Sequence, residues 1–493
     1  MRLPALPLAV AASLGLCCCG QSSSVEEGAC AADGQGCAGA AAEVPKAVER
    51  RHFWPNKGGN LNGSGQAAIS VPLRLEQFSW AHRPSSIVHT SPVIDDEGNV
   101  YVSETSGRLV SLTKYGVVRW SYQSSGLNAG IPALHGDYLY GYCDTGYAFS
   151  LRLADGEARW ARKVGLAAPS DAATAVVYGD IVIMPVNLNV AMTGGNCDFV
   201  ALSLEDGTMR WSYSVCERSQ KTSFNALPAV VNGMVIAHDC TGGMHAFSVE
   251  DGTPRWYVAG YAKDTMSTGA SAVGPNNMAY AGFVREGFCD LGKGMVRAHD
   301  IFSGQVAWTR SFDKGVNAGV AVGYLGKGGP LAVVALVANN FMPPMTWWQT
   351  LIFESTWAPL SWKLWVMSFH RSEGRVIAMD AQTGATLWTV QLDTKMEWGY
   401  TGFERGCFPD AGGTPSIGAD GTVYLNWSKG VSYALRDADG NGQINEWDPK
   451  EFSKLEHSLG CNGQTAIAPG MLVAPTCDAI FGWVDDAGKA KAE

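Results

Sequence analysis

The segment 437–448 has the ligand spacing of a calcium-binding loop. Carboxylate and amide side chains recur at every second position, a glycine follows the third of them, and a carboxylate closes the segment. Calcium takes about six to eight oxygen ligands, and this spacing lets one short loop supply most of them. A plain acidic turn is the alternative. The predicted ligands are Asp437, Asp439, Asn441, Gln443 (through its backbone), Asn445 and Asp448.

Two features of this loop limit what the metal would do. Asp448 stands where such loops usually carry a glutamate, whose longer side chain binds calcium through both oxygens, so we expect a lowered affinity. The flanking residues have the pattern of strands, and the loop takes the place of a hairpin turn. The sequence therefore predicts a structural calcium site and not a catalytic one.

Cysteine is the second residue type that could carry chemistry. The chain has 13 cysteines, and setting aside the three at positions 17–19 leaves an even number. In an exported chain, disulfides are the expected use of such a set. Metal-binding or catalytic thiols are the alternative, although no Cys-x-x-Cys follows residue 19. The predicted disulfide cysteines are Cys30, Cys37, Cys143, Cys197, Cys216, Cys240, Cys289, Cys407, Cys461 and Cys477.

Sequence spacing suggests some of the disulfide pairs. Short gaps favour Cys197 with Cys216 and Cys461 with Cys477, and Cys30 and Cys37 would close a small loop, but the sequence does not fix the connectivity. An aspartate stands beside five of the cysteines. These aspartates form either an acidic ring that binds a cation or ordinary Asx turns. The five aspartates are Asp144, Asp198, Asp239, Asp290 and Asp478.

A repeated Gly-x-x-x-Trp pattern identifies the elements that must position these groups. Each copy predicts a strand, a tight turn closed by a glycine with positive φ, and a second strand that carries the tryptophan. Six copies at one internal spacing predict a repeat fold, and 59 glycines fit a chain with many hairpin turns. The pairs are Gly116/Trp120, Gly156/Trp160, Gly207/Trp211, Gly252/Trp256, Gly304/Trp308 and Gly384/Trp388.

The repeat units are about 40–50 residues long and contain four short strands each, which is typical of propeller blades or solenoid coils. The ends of the chain favour a propeller. The last unit has three predicted strands, at 464–468, 471–476 and 479–484, and lacks a fourth. The predicted N-terminal strand 71–80 can complete it and close the ring. The sequence predicts an all-β protein, an eight-bladed β-propeller over residues 51–493.

The motif Ala-x-Asp-x-x-Thr-Gly-x-x-x-Trp at 378–388 resembles the tryptophan-docking motif of the eight-bladed propellers of the pyrroloquinoline-quinone (PQQ) type. Looser copies stand at 298–308 and 201–211, and the opening Trp54-Pro55 with Gly59-Asn60 also resembles this superfamily. The resemblance covers about residues 52–484 and implies the fold. It leaves the function open, because the superfamily includes quinoprotein dehydrogenases and non-enzymatic lipoproteins such as the propeller subunit of the outer-membrane barrel assembly machine.

An aromatic insertion at 339–371 interrupts the repeat. By its position it rises from the same face of the propeller as the cysteines. It contains five tryptophans and three prolines, and charged residues break it too often for a membrane-spanning helix. So many aromatic side chains must be buried against something. The alternatives are the propeller itself, as a lid or plug, a partner protein, and a membrane interface.

The N-terminus predicts export. Arg2 precedes an apolar run at 3–16, which is typical of a signal peptide. The following Cys17-Cys18-Cys19 resembles a bacterial lipoprotein signal, in which Cys19 would be lipidated; ordinary secretion is the alternative. Residues 1–19 are then the signal, 20–50 a flexible tether rich in Gly, Ala, Ser and Glu, and the protein a lipid-anchored component of the cell envelope. The outer membrane, facing the periplasm or the cell surface, is the expected site.

Composition limits the class of protein. The chain is 46% hydrophobic and 17% charged, as in globular proteins. Its formal net charge of −10 argues against a nucleic-acid surface, which needs a basic stripe. The partners expected from the tryptophan-rich face and the lipid anchor are an envelope protein and a membrane.

Two functions fit these features, and the preferred one is a non-enzymatic envelope lipoprotein that binds partners through its disulfide-bound, tryptophan-rich face. The second is a PQQ-dependent periplasmic dehydrogenase that oxidises an alcohol or sugar. The resemblance implies that such an enzyme needs PQQ, an active-site calcium, an aromatic platform, an aspartate base and, in many members, adjacent cysteines. The adjacent cysteines of this chain all lie at 17–19, and there is no haem-attachment motif.

Catalytic and cofactor-binding residues are not assigned by the sequence. If the protein is an enzyme, Glu404 and Asp410, near Cys407, are the candidates for its base. A third interpretation is a surface module that captures a carbohydrate or a peptide.

Overall fold

The computed structural model describes most of the chain from Arg51 onward, and every structural statement below concerns this part. The residues described are 51–71, 73–127, 130–168, 174–189, 197–215, 224, 227–260, 265–267, 269–285, 293–338, 351–352, 355–359, 362, 369–393, 395–398, 412–427, 430–457, 460 and 463–485. The predicted signal and tether, Cys19, Cys30 and Cys37 lie outside it.

Eight of the antiparallel sheets in the described chain are the blades of a β-propeller, so the predicted fold is confirmed. Within blades 1–7 the strands follow one another in chain order. Blade 1 contains Val93–Ile94, Val100–Ser103, Arg108–Leu112 and Val118–Gln123; blade 2 contains Ala133–His135, Tyr138–Tyr142, Tyr147–Arg152 and Ala158–Lys163; blade 3 contains Val176–Tyr178, Ile181–Val186, Asp198–Ser203 and Met209–Ser214; blade 4 contains Ala229–Val231, Met234–His238, Met244–Ser248 and Pro254–Val258.

The remaining blades follow the same plan. Blade 5 contains Ala272–Val273, Met278–Arg285, Lys293–Asp300 and Val306–Phe312, with Thr265–Met266 as an added short strand; blade 6 contains Ala321–Tyr324, Leu331–Ala338, Gly374–Asp380 and Thr386–Gln391; blade 7 contains Ser416–Ile417, Val423–Trp427, Val431–Leu435 and Phe452–Glu456; blade 8 contains Ala466–Ala468, Met471–Pro475, Ile480–Val484 and Trp80–His82.

The ring is closed between the two ends of the chain. Trp80 pairs with Gly482, so that Trp80–His82 becomes the outer strand of blade 8. This pairing confirms the predicted closure. Closure also gives blade 8 the four strands of its neighbours and removes an edge that would otherwise be open to aggregation.

The predicted strand at 71–80 is mostly wrong, since only its last residue lies in a strand. The segment instead packs against blades 7 and 8, and Val71 and Leu75 are buried there. Side chains satisfy its backbone: the hydroxyl of Tyr424 donates to the carbonyl of Val71, and Ser453 and Trp483 bond the backbone of Leu75. The alternation of apolar residues in this segment therefore reflects its burial and not its pairing in a sheet.

The propeller has two faces. The loops between first and second strands and between third and fourth strands lie on one of them, which we call the hairpin face. The loops between second and third strands and between blades lie on the other, which we call the cysteine face because it carries Cys143, Cys197, Cys240 and Cys477. Blade 6 is extended on the cysteine face by a ribbon in which Phe369–Ser372 pairs with Lys395–Trp398.

The repeated tryptophans join each blade to the next. The indole N–H of Trp120 donates to the carbonyl of Leu153 at 2.9 Å, and the ring lies on Gly156 in the third-to-fourth turn of blade 2. Burial of such a ring is worth on the order of 3 kcal/mol. The same contact recurs between Trp80 and Gly116, Trp160 and Gly207, Trp211 and Gly252, Trp256 and Gly304, and Trp308 and Gly384.

Blade 7 departs from this pattern. The six blades with a glycine turn all shift register between the third and fourth strands, whereas the corresponding strands of blade 7 pair without a shift. The loop between them is the predicted calcium loop. Its Ile444 packs on the apolar cluster that contains Trp388 of blade 6. The loop thus takes the place of the glycine turn against which Trp388 would dock.

An N-terminal loop, residues 54–67, spans the hairpin-face end of the central channel. Its backbone carbonyls accept hydrogen bonds from the first strands of six blades. Gly58 and Gly59 turn the chain with φ of 92° and 74°, and a Cβ on Gly59 would lie 2.6 Å from the ring of Trp54. The bonded amides are those of Ile94, Leu134, Val230, Val273, Val322 and Ile417.

Among the described residues, no helix has the length and apolar character needed to cross a membrane.

Candidate functional surfaces

The calcium-type loop is shaped by its own aspartates. Asp437 accepts hydrogen bonds from the backbone N–H groups of Asn441 at 3.1 Å and Gly442 at 2.9 Å. Asp439 accepts from the backbone of Asn441 at 3.1 Å and from its side-chain amide at 2.8 Å. Gly440 and Gly442 have φ of 72° and 78°, which glycine adopts without strain. These contacts turn two carboxylates toward the same point.

The third carboxylate at this point belongs to Glu451. Ligand oxygens of Asp437, Asp439 and Glu451 lie within 4.8 Å of one another, a spacing that could hold a metal ion. Glu451 is buried, with 4% of its surface exposed. Its two oxygens accept hydrogen bonds from the backbone N–H groups of Ala438 at 3.2 Å and Asn445 at 2.8 Å, which fix their position.

The structure does not place Asp448 in this cluster. Its carboxylate accepts from the backbone N–H of Lys450 at 2.8 Å, and the chain turns at Asp448 because the N–H of Glu451 bonds its carbonyl at 2.9 Å. The acidic cluster of the structure therefore contains Glu451 in the place where the twelve-residue spacing predicts Asp448. Glu451 was not predicted, since the usual register ends three residues before it. The side chains of Asn441 and Asn445 bond backbone N–H groups of the loop.

Four of the predicted disulfide cysteines are described, and all four lie between second and third strands. Cys197 and Cys477 are disulfide-bonded. The N–H of Cys477 donates to the carbonyl of Gly460, and the N–H of Cys197 donates to the side chain of Asn187. Cys216, Cys289, Cys407 and Cys461 lie outside the described residues, as do Glu404 and Asp410.

Cys143 is a thiol and not a half-cystine, contrary to the prediction. Cys143 is buried at the end of blade 2, and its Sγ lies 3.2 Å from Oγ1 of Thr145 and 3.6 Å from Oγ of Ser125. An even cysteine count thus overestimated the number of bonds. A buried thiol is a small apolar group, and packing alone can account for Cys143.

The aspartates beside the cysteines form turns. Asp198 is buried and accepts from the N–H of Leu188. Asp239 accepts from the N–H groups of Thr241 and Gly243 at 2.8 and 2.9 Å, and the half-buried Asp144 has its pKa raised by burial. The bonds of Asp239 are those of an Asx turn, and the bond between Asp198 and Leu188 closes the loop between the second and third strands of blade 3.

Two buried histidine networks join blade 4 to its neighbours. Nε2 of His245 lies 2.8 Å from Asp239, and Nδ1 lies 3.0 Å from the hydroxyl of Tyr213 in blade 3. On the other side, Nδ1 of His238 lies 2.8 Å from Oγ of Ser271, and Nε2 lies 2.9 Å from Oγ of Ser267. All these groups are buried, which favours a structural role.

The described part of the aromatic insertion exposes large apolar groups. Trp357 is 63% and Trp362 is 52% exposed. Their rings meet edge to face, with centroids 6.3 Å apart. Leu351 is also exposed. These side chains belong to the segment between the second and third strands of blade 6, on the cysteine face.

Comparison with protein families supports this architecture. The family model described as "Outer membrane protein assembly factor BamB" matches residues 74–193 and 179–323, which together make up half of the chain. The chain belongs to this family. No curated protein sequence matches it.

Solved structures resemble this member of the BamB family in fold. The BamB structure from Moraxella catarrhalis is 17% identical, with a TM-score of 0.51 over 83% of this chain and 98% of that one. A quinohemoprotein alcohol dehydrogenase from Comamonas testosteroni is 12% identical, with a TM-score of 0.59 over 87% and 80%. A europium-containing methanol dehydrogenase is 12% identical, with a TM-score of 0.54 over 86% and 89%.

The donor set of this family member does not match the set expected for bound PQQ. After residue 19 the sequence contains no adjacent cysteines. Among the described residues, the acidic cluster that could hold a metal is Asp437, Asp439 and Glu451, which lies in a third-to-fourth strand loop on the hairpin face.

Proposed function

We propose that this protein is a non-enzymatic lipoprotein of the cell envelope that binds partner proteins through its cysteine face. The observation that carries the proposal is the exposed pair Trp357 and Trp362. Tryptophan is enriched among residues that dominate binding energy in protein interfaces, because a large rigid ring is buried at a small entropic cost. Two such rings side by side on one loop offer a preformed apolar anchor.

The remaining parts of the proposal concern location and stability. Lipidation at Cys19 would tether the propeller to a membrane, most simply the outer membrane, after removal of the residues that precede Cys19. Calcium held by Asp437, Asp439 and Glu451 would stabilise the hairpin face without taking part in chemistry. Disulfides among the cysteines of the opposite face would stiffen the loops that meet the partner.

Family membership supports the binding function, since the description of the matching family model names an outer membrane protein assembly factor. The alternative is a PQQ-dependent dehydrogenase, and the fold likeness to the quinohemoprotein alcohol dehydrogenase favours it. That likeness is one of fold, and the BamB structure shares it with a TM-score of 0.51 against 0.59. The missing cysteine pair and the position of the acidic cluster favour binding over oxidation.

The test is site-specific photo-crosslinking in the envelope of living cells. A photoreactive residue replaces Trp357 in one strain and Trp447, which is exposed on the hairpin face, in another. We expect a discrete crosslinked protein from position 357, lost when Trp362→Ala is added, and none from position 447. A PQQ titration of the purified full chain with calcium, followed by dye-linked alcohol and sugar oxidation, tests the alternative. Saturable binding with turnover would overturn the proposal.

A further inference from the structure

Trp447 is the most exposed large apolar side chain among the described residues, at 92%. It lies in the calcium-type loop of blade 7, on the hairpin face. Its backbone N–H donates to the side chain of Asn445 at 3.0 Å, which fixes the backbone from which the exposed indole projects. Two further exposed apolar side chains, Phe302 in the outer hairpin of blade 5 and Leu61 in the N-terminal loop, lie on the same face.

The described chain also begins on the hairpin face. Nε2 of His52 donates to the carbonyl of Gly136, 3.0 Å away in the first hairpin of blade 2, and Nδ1 lies 3.4 Å from Asp96 in the first hairpin of blade 1. Trp54 then pairs with Ile94. The predicted tether, residues 20–50, therefore joins the propeller on the face that carries Trp447 and away from the face that carries Trp357.

The length of this tether limits how far the anchored face can stand from the lipid. Residues 20–50 amount to 31 residues. A flexible chain of that length, with the Gly- and Ser-containing composition seen here, has a root-mean-square span of about 30 Å. The other end of this segment is fixed on the hairpin face by the contacts of His52, so a lipid at Cys19 is connected to the propeller from that face.

We infer that the hairpin face rests on the bilayer to which the protein is anchored, with Trp447 at the membrane interface. This inference rests on the lipid anchor of the proposed function. Tryptophan favours the headgroup region because its ring is apolar and its N–H can still be hydrated. The cysteine face, with Trp357 and Trp362, then points away from the membrane and is open to a protein partner.

The charge around Trp447 determines the lipid for the test. The loop 436–451 carries five carboxylates, at 437, 439, 446, 448 and 451, against two basic residues, at 436 and 450. Anionic headgroups would repel this loop, whereas zwitterionic ones would not. The inferred contact is therefore interfacial burial of an indole at a zwitterionic surface and not an electrostatic attraction.

The test uses the full lipidated chain in phosphatidylcholine vesicles whose acyl chains are brominated close to the headgroup, because bromine quenches only nearby tryptophans. We compare Trp447→Phe with the matched control Trp357→Phe, which removes an exposed indole from the opposite face. Trp447→Phe should lose most of the lipid-dependent quenching, and Trp357→Phe should keep it. Flotation with the vesicles is measured for each protein.

Three outcomes would overturn the inference. Loss of quenching in Trp357→Phe alone would place the cysteine face on the membrane, and unchanged quenching in both variants would mean that neither face meets it. A chain that does not float with vesicles lacks the anchor, and the orientation argument then fails. Partner crosslinking at position 357 is measured separately, so failure of the orientation and failure of the binding function can be told apart.

Discussion

The indole ring of Trp120 lies against the α-carbon of Gly156 in the next blade. A Cβ added to Gly156 would be 2.5 Å from Cε3 of that ring, and the glycine has a φ of 77°. The same relation recurs at five other blade junctions, so the glycine of each turn and the tryptophan of the preceding blade form one structural unit. Both residues are needed because the ring fills the space that a side chain would occupy.

Gly156→Ala should therefore destabilise the propeller more than a glycine substitution of equal backbone strain. The matched control is Gly136→Ala, where φ is 55° and no atom lies within 4 Å of the new Cβ. The control should cost about 1 kcal/mol from the left-handed backbone alone. Displacement of the Trp120 ring should add about 1–3 kcal/mol for Gly156→Ala. Equal losses in urea unfolding would show that the ring contact contributes nothing.

Protonation of His238 should destabilise the fold in mild acid. Burial lowers the pKa of His238 to about 4, and its partners Ser267 and Ser271 suit a neutral ring. The folded pKa is below the unfolded value of about 6.5. The contribution of the neutral His238 ring to the free energy of unfolding is therefore complete above pH 6.5. It is lost as the pH falls from 6.5 to about 4, and its size is roughly 3 kcal/mol.

The measurement for His238 is the free energy of unfolding between pH 7.5 and 4, in the wild type and in His238→Gln. The variant should be less stable at pH 7.5 but should depend less on pH across this range. The pKa of His299 is also lowered to about 4 by burial, so the free energy of unfolding should keep some dependence on pH in both proteins. Identical slopes would mean that His238 titrates normally and is not held in the neutral form.

Asp239 should affect stability in a lower pH range. Burial disfavours its charge, but the hydrogen bonds from His245, Thr241 and Gly243 outweigh this cost and lower the pKa of Asp239. A carboxylate with a lowered pKa stabilises the fold above its unfolded value of about 3.9 and loses that contribution as the pH falls below it. Asp239→Asn should be destabilised at pH 7 and should lose part of the acid dependence below pH 4.

The measurement for Asp239 is unfolding at pH 7 and at pH 3 in both proteins. The difference between wild type and Asp239→Asn should shrink at pH 3, where the wild-type carboxylate is partly protonated. Asp251→Asn is the comparison that isolates the histidine network, because the pKa of Asp251 is lowered by hydrogen bonds from Thr253 in an exposed turn and not by a histidine. A constant difference at both pH values would contradict the lowered pKa.

The repeat made the fold predictable from the sequence, because period and spacing are local properties. The glycine and tryptophan of each copy specify a turn and its docking ring, and the missing fourth strand of the last unit specified ring closure by Trp80. The segment 71–79 could not be predicted in the same way. Its alternating apolar residues resemble a strand, but its backbone partners are the side chains of Tyr424, Ser453 and Trp483, which are distant in sequence.

The candidate sites were harder to predict because they depend on register and pairing. The motif placed Asp437 and Asp439 correctly in one loop, but Glu451 reaches the cluster through a turn that the twelve-residue pattern does not include. The even number of cysteines could not show that the sulfur of Cys143 lies beside the hydroxyl groups of Ser125 and Thr145. The glycines near Trp54 are the sequence feature that marks the N-terminal loop. They do not reveal its hydrogen-bond partners, which are spread over six blades.

The calcium-type loop gives a prediction that distinguishes the ligand expected from the sequence motif from the one expected from the structure. Glu451, and not Asp448, shares the cluster with Asp437 and Asp439, so Glu451→Gln should weaken metal binding strongly and Asp448→Asn only slightly. A ligand carboxylate contributes charge and one or two oxygens, and we expect a loss of about tenfold or more in affinity for Glu451→Gln. Terbium is a suitable probe, because Trp447 can sensitise its emission and calcium can then compete it away.

The control for this experiment is the stability of the metal-free protein. Glu451 also accepts the N–H groups of Ala438 and Asn445, so Glu451→Gln removes charge but keeps one amide oxygen for these bonds. The second of these N–H groups would then face an amide NH2 group, so unfolding in chelator measures the cost of this lost bond. Calcium added to each variant should then stabilise Asp448→Asn and not Glu451→Gln. A larger loss of terbium affinity in Asp448→Asn than in Glu451→Gln would show that Asp448 is the ligand, as the twelve-residue motif predicts. No saturable binding in the wild type would make the loop an ordinary acidic turn.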